Sequence, residues 1–408
     1  MHQVSGGLAS ASVPSILPDA HGAPFLPVFG SVEEALAGHE GDDPLFVLFP
    51  QRIAAAAELF LNGFAGRTMF AVKVNPHPAV LRTLWAAGVR DFDVASAREI
   101  ELVRAILPGA RMAFMHPVKP RRAIREAYAA GVRAFAFDSA EELRKIVGET
   151  GGAADLTLHL RLALPAGNGA LMDLSGKFGA NAEDAASLLR AARPLVAKVG
   201  LTFHVGSQCM DPDAYVRAIV HARGVADAAG VAIDVLDIGG GFPARYPGME
   251  PGAMQTYFDA IAAAAQAHGF GDAELLAEPG RALVADGGAT LARIELRRGQ
   301  DLFLNDGSYG SLYDAANFAW RYPTRLIRAR GREVPGEEAG EYRFFGPTCD
   351  SADRMEGPFV LPTDAAEGDW IEIGGLGAYG QTMATRFNGY YSDSTVAVLD
   401  GARLAAFG

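Results

Sequence analysis

From residue 68 onward, short apolar runs alternate with longer stretches whose apolar positions recur at helical spacing. The strand candidates are 68–74, 91–95, 111–116, 134–138, 156–163, 201–206, 235–239 and 274–278. The stretches between them, such as 79–87, 98–106, 121–130 and 212–229, are rich in Ala, Leu and Arg and follow the 3.6-residue period. Eight strands with intervening helices predict a (β/α)8 TIM-type barrel. One further apolar run, 46–49, is surplus to that count. It reads as a strand outside the barrel or as a lead-in segment.

After residue 285 the pattern changes. Apolar β-type runs recur at 290–297, 301–304, 341–345, 370–373 and 395–399 without clear helices between them. Turn pairs punctuate this part: Asp306-Gly307, Pro335-Gly336, Glu367-Gly368 and Asn388-Gly389. The charged, Gly-rich stretch 331–340 reads as an exposed hairpin. The expected organisation is an N-terminal arm over 1–44, partly packed on the β domain, a barrel over 45–285 and an all-β C-terminal domain over 286–408. Residues 1–24, rich in Ser, Gly, Ala and Pro, read as a loose arm.

A chain of 408 residues is too long for one core and suits two. Its 48 glycines suit many tight strand–helix turns. The formal charge of −12, from 36 basic and 48 acidic residues, argues against nucleic acid or an anionic membrane as partner. It is compatible with a small cationic substrate, although solubility is the ordinary meaning of such a charge. Cys209 and Cys349 are too few for a disulfide framework, which favours a reducing cytoplasm. The most apolar run, 53–64, is broken by Glu58 and Asn62 and is too short to span a membrane. No Lys or Arg precedes Arg52, so the charged start of a secretory signal is missing.

In a barrel of this kind the active site lies where strands end and loops begin. The distinctive polar residues fall at those places: Lys73, Asp93, His116, Asp138 and Arg161, then His204, the glycines 239–241, Glu278 and Arg281. Each has an ordinary reading. A lysine there is usually a solvated strand end, a lone histidine a structural residue and a glycine triplet a turn. Asp138-Ser139 reads as a helix N-cap. Convergence on one face outweighs these readings, because the chemistries are complementary. Exposed amides after a Gly-rich turn, with Ser207 and Arg281, suit a phosphate monoester. A lysine forms an imine with an aldehyde, a carboxylate such as Glu278 keeps a pyridine nitrogen protonated, and a flat imidazole such as His204 stacks on a ring. Phosphate, aldehyde and pyridine together describe pyridoxal phosphate. No metal is expected.

The motifs that carry this chemistry are Phe70-Ala71-Val72-Lys73-Val74-Asn75, Phe92-Asp93-Val94-Ala95-Ser96 with Glu99, His204-Val205-Gly206-Ser207, Asp237-Ile238-Gly239-Gly240-Gly241-Phe242 and Glu278-Pro279-Gly280-Arg281. Later come Gly346-Pro347-Thr348-Cys349-Asp350 and Gly377-Ala378-Tyr379. In order and spacing the set resembles the fold-type III pyridoxal-phosphate decarboxylases of ornithine, lysine and diaminopimelate. The resemblance runs from about residue 45 to 400.

The resemblance implies roles. Lys73 is then the Schiff-base lysine, Glu278 the partner of the pyridine nitrogen with Arg161 nearby, and His204 the stacking ring. Ser207, Gly239, Gly240, Gly241, Arg281 and Tyr379 hold the phosphate, while Asp93 and Glu99 organise the lysine's surroundings. Cys349 is the proton donor and Asp350 meets the distal amine. Tyr313, Asp314 and Phe387 complete the substrate set. A homodimer with shared sites is implied, the Cys349 loop coming from the partner and Lys177 pairing across the interface with Asp353.

Asp350 after the cysteine resembles the ornithine branch, where diaminopimelate enzymes usually carry Glu. Tyr313-Asp314 resembles that branch's Tyr-Asp pair, and 311–316 hold no arginine for a second carboxylate. Met115-His116-Pro117-Val118-Lys119 resembles the branch's Asn-Pro-Cys-Lys element, with His116 as a departure that has no assigned role. These matches make L-ornithine to putrescine the first expectation, and the segment 309–314, shorter than in the familiar ornithine enzymes, keeps L-lysine to cadaverine as the second. The alternatives are a diaminopimelate decarboxylase, an alanine-racemase-like enzyme or a non-catalytic regulator on the same fold. Glu278 disfavours the racemase, and an intact catalytic set disfavours the regulator.

Overall fold

The protein is described by a computed structural model over residues 26–165, 170–172, 176–329 and 333–399. Residues 1–25 of the expected arm lie outside the described residues. Arg67–Ala71, Asp91–Val94, Arg111–Phe114, Ala134–Phe137, Thr157–Arg161, Lys198–Thr202, Val235–Asp237 and Glu274–Ala277 pair in parallel and close into the expected barrel. Alternation along the strands sorts the side chains. Phe70, Phe92, Phe114 and Phe135 join the large core shared with the helices. Met69, Ala113, Ala136 and Leu276 form a separate small cluster.

Several strands stop short of the runs that predict them. Lys73 therefore sits on a 3-10 turn, Val72–Val74, and not on the strand itself. His204 and Glu278 likewise follow the last residues of their strands. Ser139, as expected, caps the helix Ala140–Glu149 by accepting from the Glu142 amide, while the Asp138 carboxylate accepts from the Gly179 amide.

The second body is a nine-stranded sheet. Gly288–Arg298, Asp301–Leu304, Ala339–Phe345, Trp370–Gly374 and Thr395–Val398 lie where the pattern puts them. The run at 46–49 is the strand Leu45–Leu48, which pairs with Gly288–Arg298 and Thr395–Val398. A boundary at 45 counts it with the barrel, whereas its pairing places it in the sheet. All four of its residues are buried, which explains the continuous apolar run. Val28–Phe29 adds a further strand beside Thr395–Val398.

Two longer strands of the sheet were also not foreseen. Arg354–Pro362 buries Met355, Phe359 and Leu361, but Gly357 and Pro358 obscure the alternation. Thr324–Ile327 follows Pro323 and begins with two polar residues. Of the stretch expected as a hairpin, residues 331 and 332 lie outside the described residues, and 333–338 hold no strand. The flanking strands pair elsewhere, Thr324–Ile327 with Trp370–Gly374 and Ala339–Phe345 with Asp301–Leu304 and Arg354–Pro362.

The two bodies meet at the mouth of the barrel. The Tyr379 amide donates to the Val74 carbonyl (3.0 Å), and Asn75 Nδ2 donates to the Gly377 carbonyl (2.8 Å). The sheet domain is thus fastened to the turn that carries Lys73.

Candidate active site

A cavity of about 450 Å³ opens at this junction. Lys73, Asp93, Arg161, His204, Ser207 and Glu278 line it. Gly240, Gly241, Arg281 and Tyr379 complete the set expected to hold the cofactor, apart from Gly239 behind them.

Lys73 Nζ lies 3.1 Å from Asp93 Oδ2. Burial opposes the ammonium charge, but Asp93, then Tyr379 and Glu278, outweigh it and hold the lysine above its ordinary range. Asp93 lies on the strand Asp91–Val94, just before a well-capped helix, Ala97–Ile106. Ser96 Oγ accepts from the Glu99 amide, and Glu99 Oε2 reaches back to the Ala95 amide (2.5 Å). The sequence set out only the Glu99 neighbourhood; the reciprocal cap explains how it works.

His204 Nδ1 accepts from the Gly206 amide (3.0 Å), which leaves the proton of the neutral ring on Nε2. Burial, with Arg161 and Lys73 nearby, holds the imidazole well below the usual histidine range. The ring is therefore neutral and suited to stacking.

The glycine triplet is required by close approach. A Cβ on Gly239 would stand 2.1 Å from the Phe203 carbonyl oxygen, and one on Gly241 2.4 Å from that of Gly206. At Gly240 it would meet the Glu278 carbonyl oxygen at 2.7 Å. The backbone after Val235–Asp237 can thus pack directly under the His204–Ser207 loop and present its edge to the cavity.

Glu278 is buried, and its Oε1 has no hydrogen-bond partner among the described residues. Burial first, then Asp237 and Asp93, push its carboxyl well above the ordinary range. Asp237 lies against it, is raised by burial, and is held by the Gly239 amide at 2.9 Å. This second carboxyl stood in a motif without an assigned role.

Arg281 is 5% exposed. Its guanidinium lies 4.2 Å from the Trp320 ring centroid and 5.0 Å from that of Tyr379, whose backbone is left-handed at φ 63°. Nη1 donates to the Tyr246 hydroxyl and Nη2 to Asp314 Oδ2, each at 3.2 Å, while Nε has no partner among the described residues.

The Arg281 contact with Asp314 departs from the expectation for Asp314. Its carboxylate is only 7% exposed, is paired with Arg281 and does not line the cavity. In this structure it is the arginine's counter-ion. Its neighbour Tyr313 packs edge-on against Phe318 instead of entering the cavity.

The Cys349 loop is also outside this cavity. Cys349 is exposed, with its Sγ 3.3 Å from Asn388 Oδ1. Asp350 is half-buried and accepts from the Tyr309 hydroxyl (2.5 Å), whose ring is 4.8 Å from that of Phe387. Asp353 is buried and accepts four hydrogen bonds, two from Ser308 and two from Thr348. Those donors hold both oxygens from within the chain, whereas the expected pairing with Lys177 would cross to a second copy. Lys177 instead stands at the cavity, 5.0 Å from the Phe178 ring, and His116 meets the same ring edge-on at 5.2 Å.

Sequence reasoning missed Tyr246, Trp320 and Asn388, and passed over Tyr309. Each contacts a residue distant in the chain, and none lies in a periodic run that would mark it.

The pyridoxal-binding domain of the pyridoxal-dependent decarboxylases matches residues 50–285. The C-terminal sheet domain of the pyridoxal-dependent decarboxylases matches residues 195–377. The chain belongs to the pyridoxal-dependent decarboxylases. The decarboxylase is 34% identical over 352 residues to a lysine/ornithine decarboxylase of Selenomonas ruminantium, covering 83% of this chain and 84% of that one. It is 34% identical over 371 residues to an ornithine decarboxylase of Panagrellus redivivus, covering 83% and 81%. Among solved structures, a lysine/ornithine decarboxylase from Vibrio vulnificus complexed with putrescine superposes with a TM-score of 0.77 at 31% identity, covering 90% of this chain and 97% of that one. An arginine decarboxylase of Paramecium bursaria Chlorella virus bound to agmatine gives 0.78 at 28%, covering 90% and 99%.

The cofactor of this carboxy-lyase is pyridoxal phosphate, and the cavity fits it on physical grounds. An orphaned carboxyl oxygen on Glu278 and an orphaned Nε on Arg281 stand on the same cavity as Lys73. Buried polar groups in that condition are the ones a polar ligand satisfies.

Proposed function

We propose that this enzyme decarboxylates a basic amino acid, L-ornithine to putrescine before all others and L-lysine to cadaverine as the second substrate. The observation that carries the reading is Asp350. It is half-buried beside the exposed Cys349, and the Ala352 amide and the Tyr309 hydroxyl hold its carboxyl below the ordinary range. A carboxylate held ionised in this way suits a distal ammonium group. The relatives named for ornithine and lysine support the same class, and 311–316 offer no arginine for a diaminopimelate.

Bound pyridoxal phosphate supplies the electron sink that makes loss of the α-carboxylate feasible. Lys73 is the residue to hold its aldehyde carbon. Glu278 holds a proton at the ring nitrogen, and His204 covers one ring face. Ser207, Arg281, Tyr379 and the amides of 239–241 take the phosphate. Cys349 delivers a proton to the substrate's α-carbon, and Lys73 takes part in product release. Asp350 discriminates for a cation at the far end, since a neutral end would leave its charge unpaired.

In this reading the working unit is a homodimer, and Cys349 and Asp350 serve the partner's cavity. Two features support it: the Cys349 loop lies off the cavity of its own chain, and Phe387, Tyr390 and Tyr391 beside it are exposed. Aromatic surface next to a catalytic loop suits an interface.

The test is carbon-dioxide release from both enantiomers of ornithine and lysine, with arginine and meso-diaminopimelate as further arms. The highest kcat/KM is expected on L-ornithine. A preference for meso-diaminopimelate would overturn the reading, and one for arginine would move it to a longer distal cation.

A further inference from the structure

We propose that Asp237 is a positioning residue for the proton at the cofactor's ring nitrogen: with Glu278 it forms a buried carboxyl pair that holds one proton in the apoenzyme and gives it to that nitrogen when pyridoxal phosphate binds. The proposal rests on Glu278 as the partner of the ring nitrogen and does not depend on which basic amino acid is turned over.

Strand register brings the two acids together. Val235–Asp237 pairs in parallel with Glu274–Ala277, with Asp237 opposite Leu276. Val235 and Leu276 belong to the small cluster inside the barrel, with Met69, Ala113 and Ala136. Side chains two residues apart on a strand share a face. Asp237 therefore points inward beyond Val235. The Glu278 amide continues the ladder by donating to the Gly239 carbonyl (2.8 Å), so Glu278 follows Leu276 on the same side.

Asp237 is wholly buried and stands behind the cavity, which Glu278 lines. Its Oδ1 accepts from the Gly239 amide at 2.9 Å. Its Oδ2 and Glu278 Oε1 have no hydrogen-bond partner among the described residues, and neither has the hydroxyl of Thr202, opposite Asp237 on the next strand. Two buried carboxyls in contact, each with an oxygen that nothing donates to, strongly disfavour carrying charge together. One proton shared between them satisfies both oxygens.

Charge gives the same count. The other charged groups facing the pair are Asp93, Lys73 and Arg161. Asp93 is matched by Lys73 at 3.1 Å, which leaves Arg161 against two carboxyls. One carboxylate balances the arginine. The other is either a neutral acid or needs a second cation. Burial first, then Asp237 and Asp93, favour the protonated form of Glu278 while no ligand is bound. A pyridine nitrogen presented at Glu278 becomes that second cation by taking the proton. The carboxyl O–H bond breaks, an N–H bond forms at the nitrogen's lone pair, and two carboxylates remain against the new cation and Arg161. Asp237 then acts from behind. Its charge makes Glu278 a stronger base, so the proton stays on the nitrogen.

Infrared spectra of full-length, isotope-labelled protein, whose carbonyl bands are shifted away from the cofactor's, follow the proton. Wild-type apoenzyme near neutral pH is expected to show a carboxylic-acid band, sensitive to deuterium exchange, that disappears on adding pyridoxal phosphate. The same band should be missing from Asp237→Asn and Glu278→Gln apoenzymes. Nitrogen NMR of holoenzyme carrying ring-labelled pyridoxal phosphate reads the other end. In Asp237→Asn the midpoint for loss of the ring proton should fall by about one pH unit or more, with kcat down about tenfold and KM within about twofold of wild type. Asp237→Ser keeps an acceptor for the Gly239 amide but no charge, and gives the same readings should the asparagine variant not fold. Wild-type apoenzyme without an acid band that the cofactor removes would overturn the proposal, whatever the variants do. Weakened cofactor binding with the ring proton held as firmly as in wild type would make Asp237 merely structural and overturn it too. Loss of the ring proton in Glu278→Gln but in neither Asp237 variant would strike Asp237 alone and leave Glu278 in its role. A ring proton retained in Glu278→Gln would remove the reading on which the proposal rests, and the proposal with it.

Discussion

At the scale of single residues, the site is an arrangement of charges that would be unfavourable without a ligand. Glu278 stands among Asp237, Asp93, Lys73 and Arg161, buried and with one oxygen unpartnered. A carboxyl raised by burial and by neighbouring acids is a strong base, and a strong base keeps a ring nitrogen protonated. Glu278→Gln is therefore expected to lower kcat by about 100-fold while KM moves little, because the charge it stabilises develops in the transition state. Steady-state kinetics checks this, and an unchanged kcat removes Glu278 from the role. Much of the site was legible because reactive groups at strand ends converge whatever the loops do. Partners were not. Tyr246, Trp320 and Arg281 meet only through the tertiary fold, and the direction in which Asp314 points cannot be read from its neighbours in sequence.

At the scale of elements, the barrel strands were legible because they are buried on both faces and read as apolar runs. The strand Arg354–Pro362 was not, because its Gly357 and Pro358 break the alternation. One barrel strand carries a penalty for acid. His159, in the strand Thr157–Arg161, is buried with Nδ1 unpartnered among the described residues. Burial first, then Arg67, pushes it down to about 4. Between an unfolded value near 6.5 and this folded value, the unfolded chain binds a proton that the folded one does not. Stability is complete above that window, falls as pH drops through it, and falls no further on this account below about 4. The loss amounts to about 3 kcal/mol. Urea unfolding of wild type and His159→Gln at pH 7 and pH 4.5 measures it. The variant should show the shallower decline, and equal declines would remove His159 as the cause.

At the scale of the whole molecule, the sheet domain does two things. It seals the mouth of the barrel through Tyr379 and Asn75, and it presents Cys349 and Asp350 away from that mouth. Asp353 braces the presenting loop from within the chain, through Ser308 and Thr348. In the proposed reading, a site that needs both Lys73 and Cys349 is completed by a second copy. Mixing answers this directly. Lys73→Ala and Cys349→Ala proteins, inactive and strongly impaired alone, are combined under subunit exchange, with exchange followed by mass-tagged chains. In an equal random mixture half the dimers are mixed, and each of those holds one intact site of two. Activity should recover to about a quarter of wild type, as two-fold symmetry with shared sites requires. If each site were built within one chain, every site in the mixture would lack Lys73 or Cys349. Activity would then stay at the average of the two variants, and that result, with exchange demonstrated, would contradict the account.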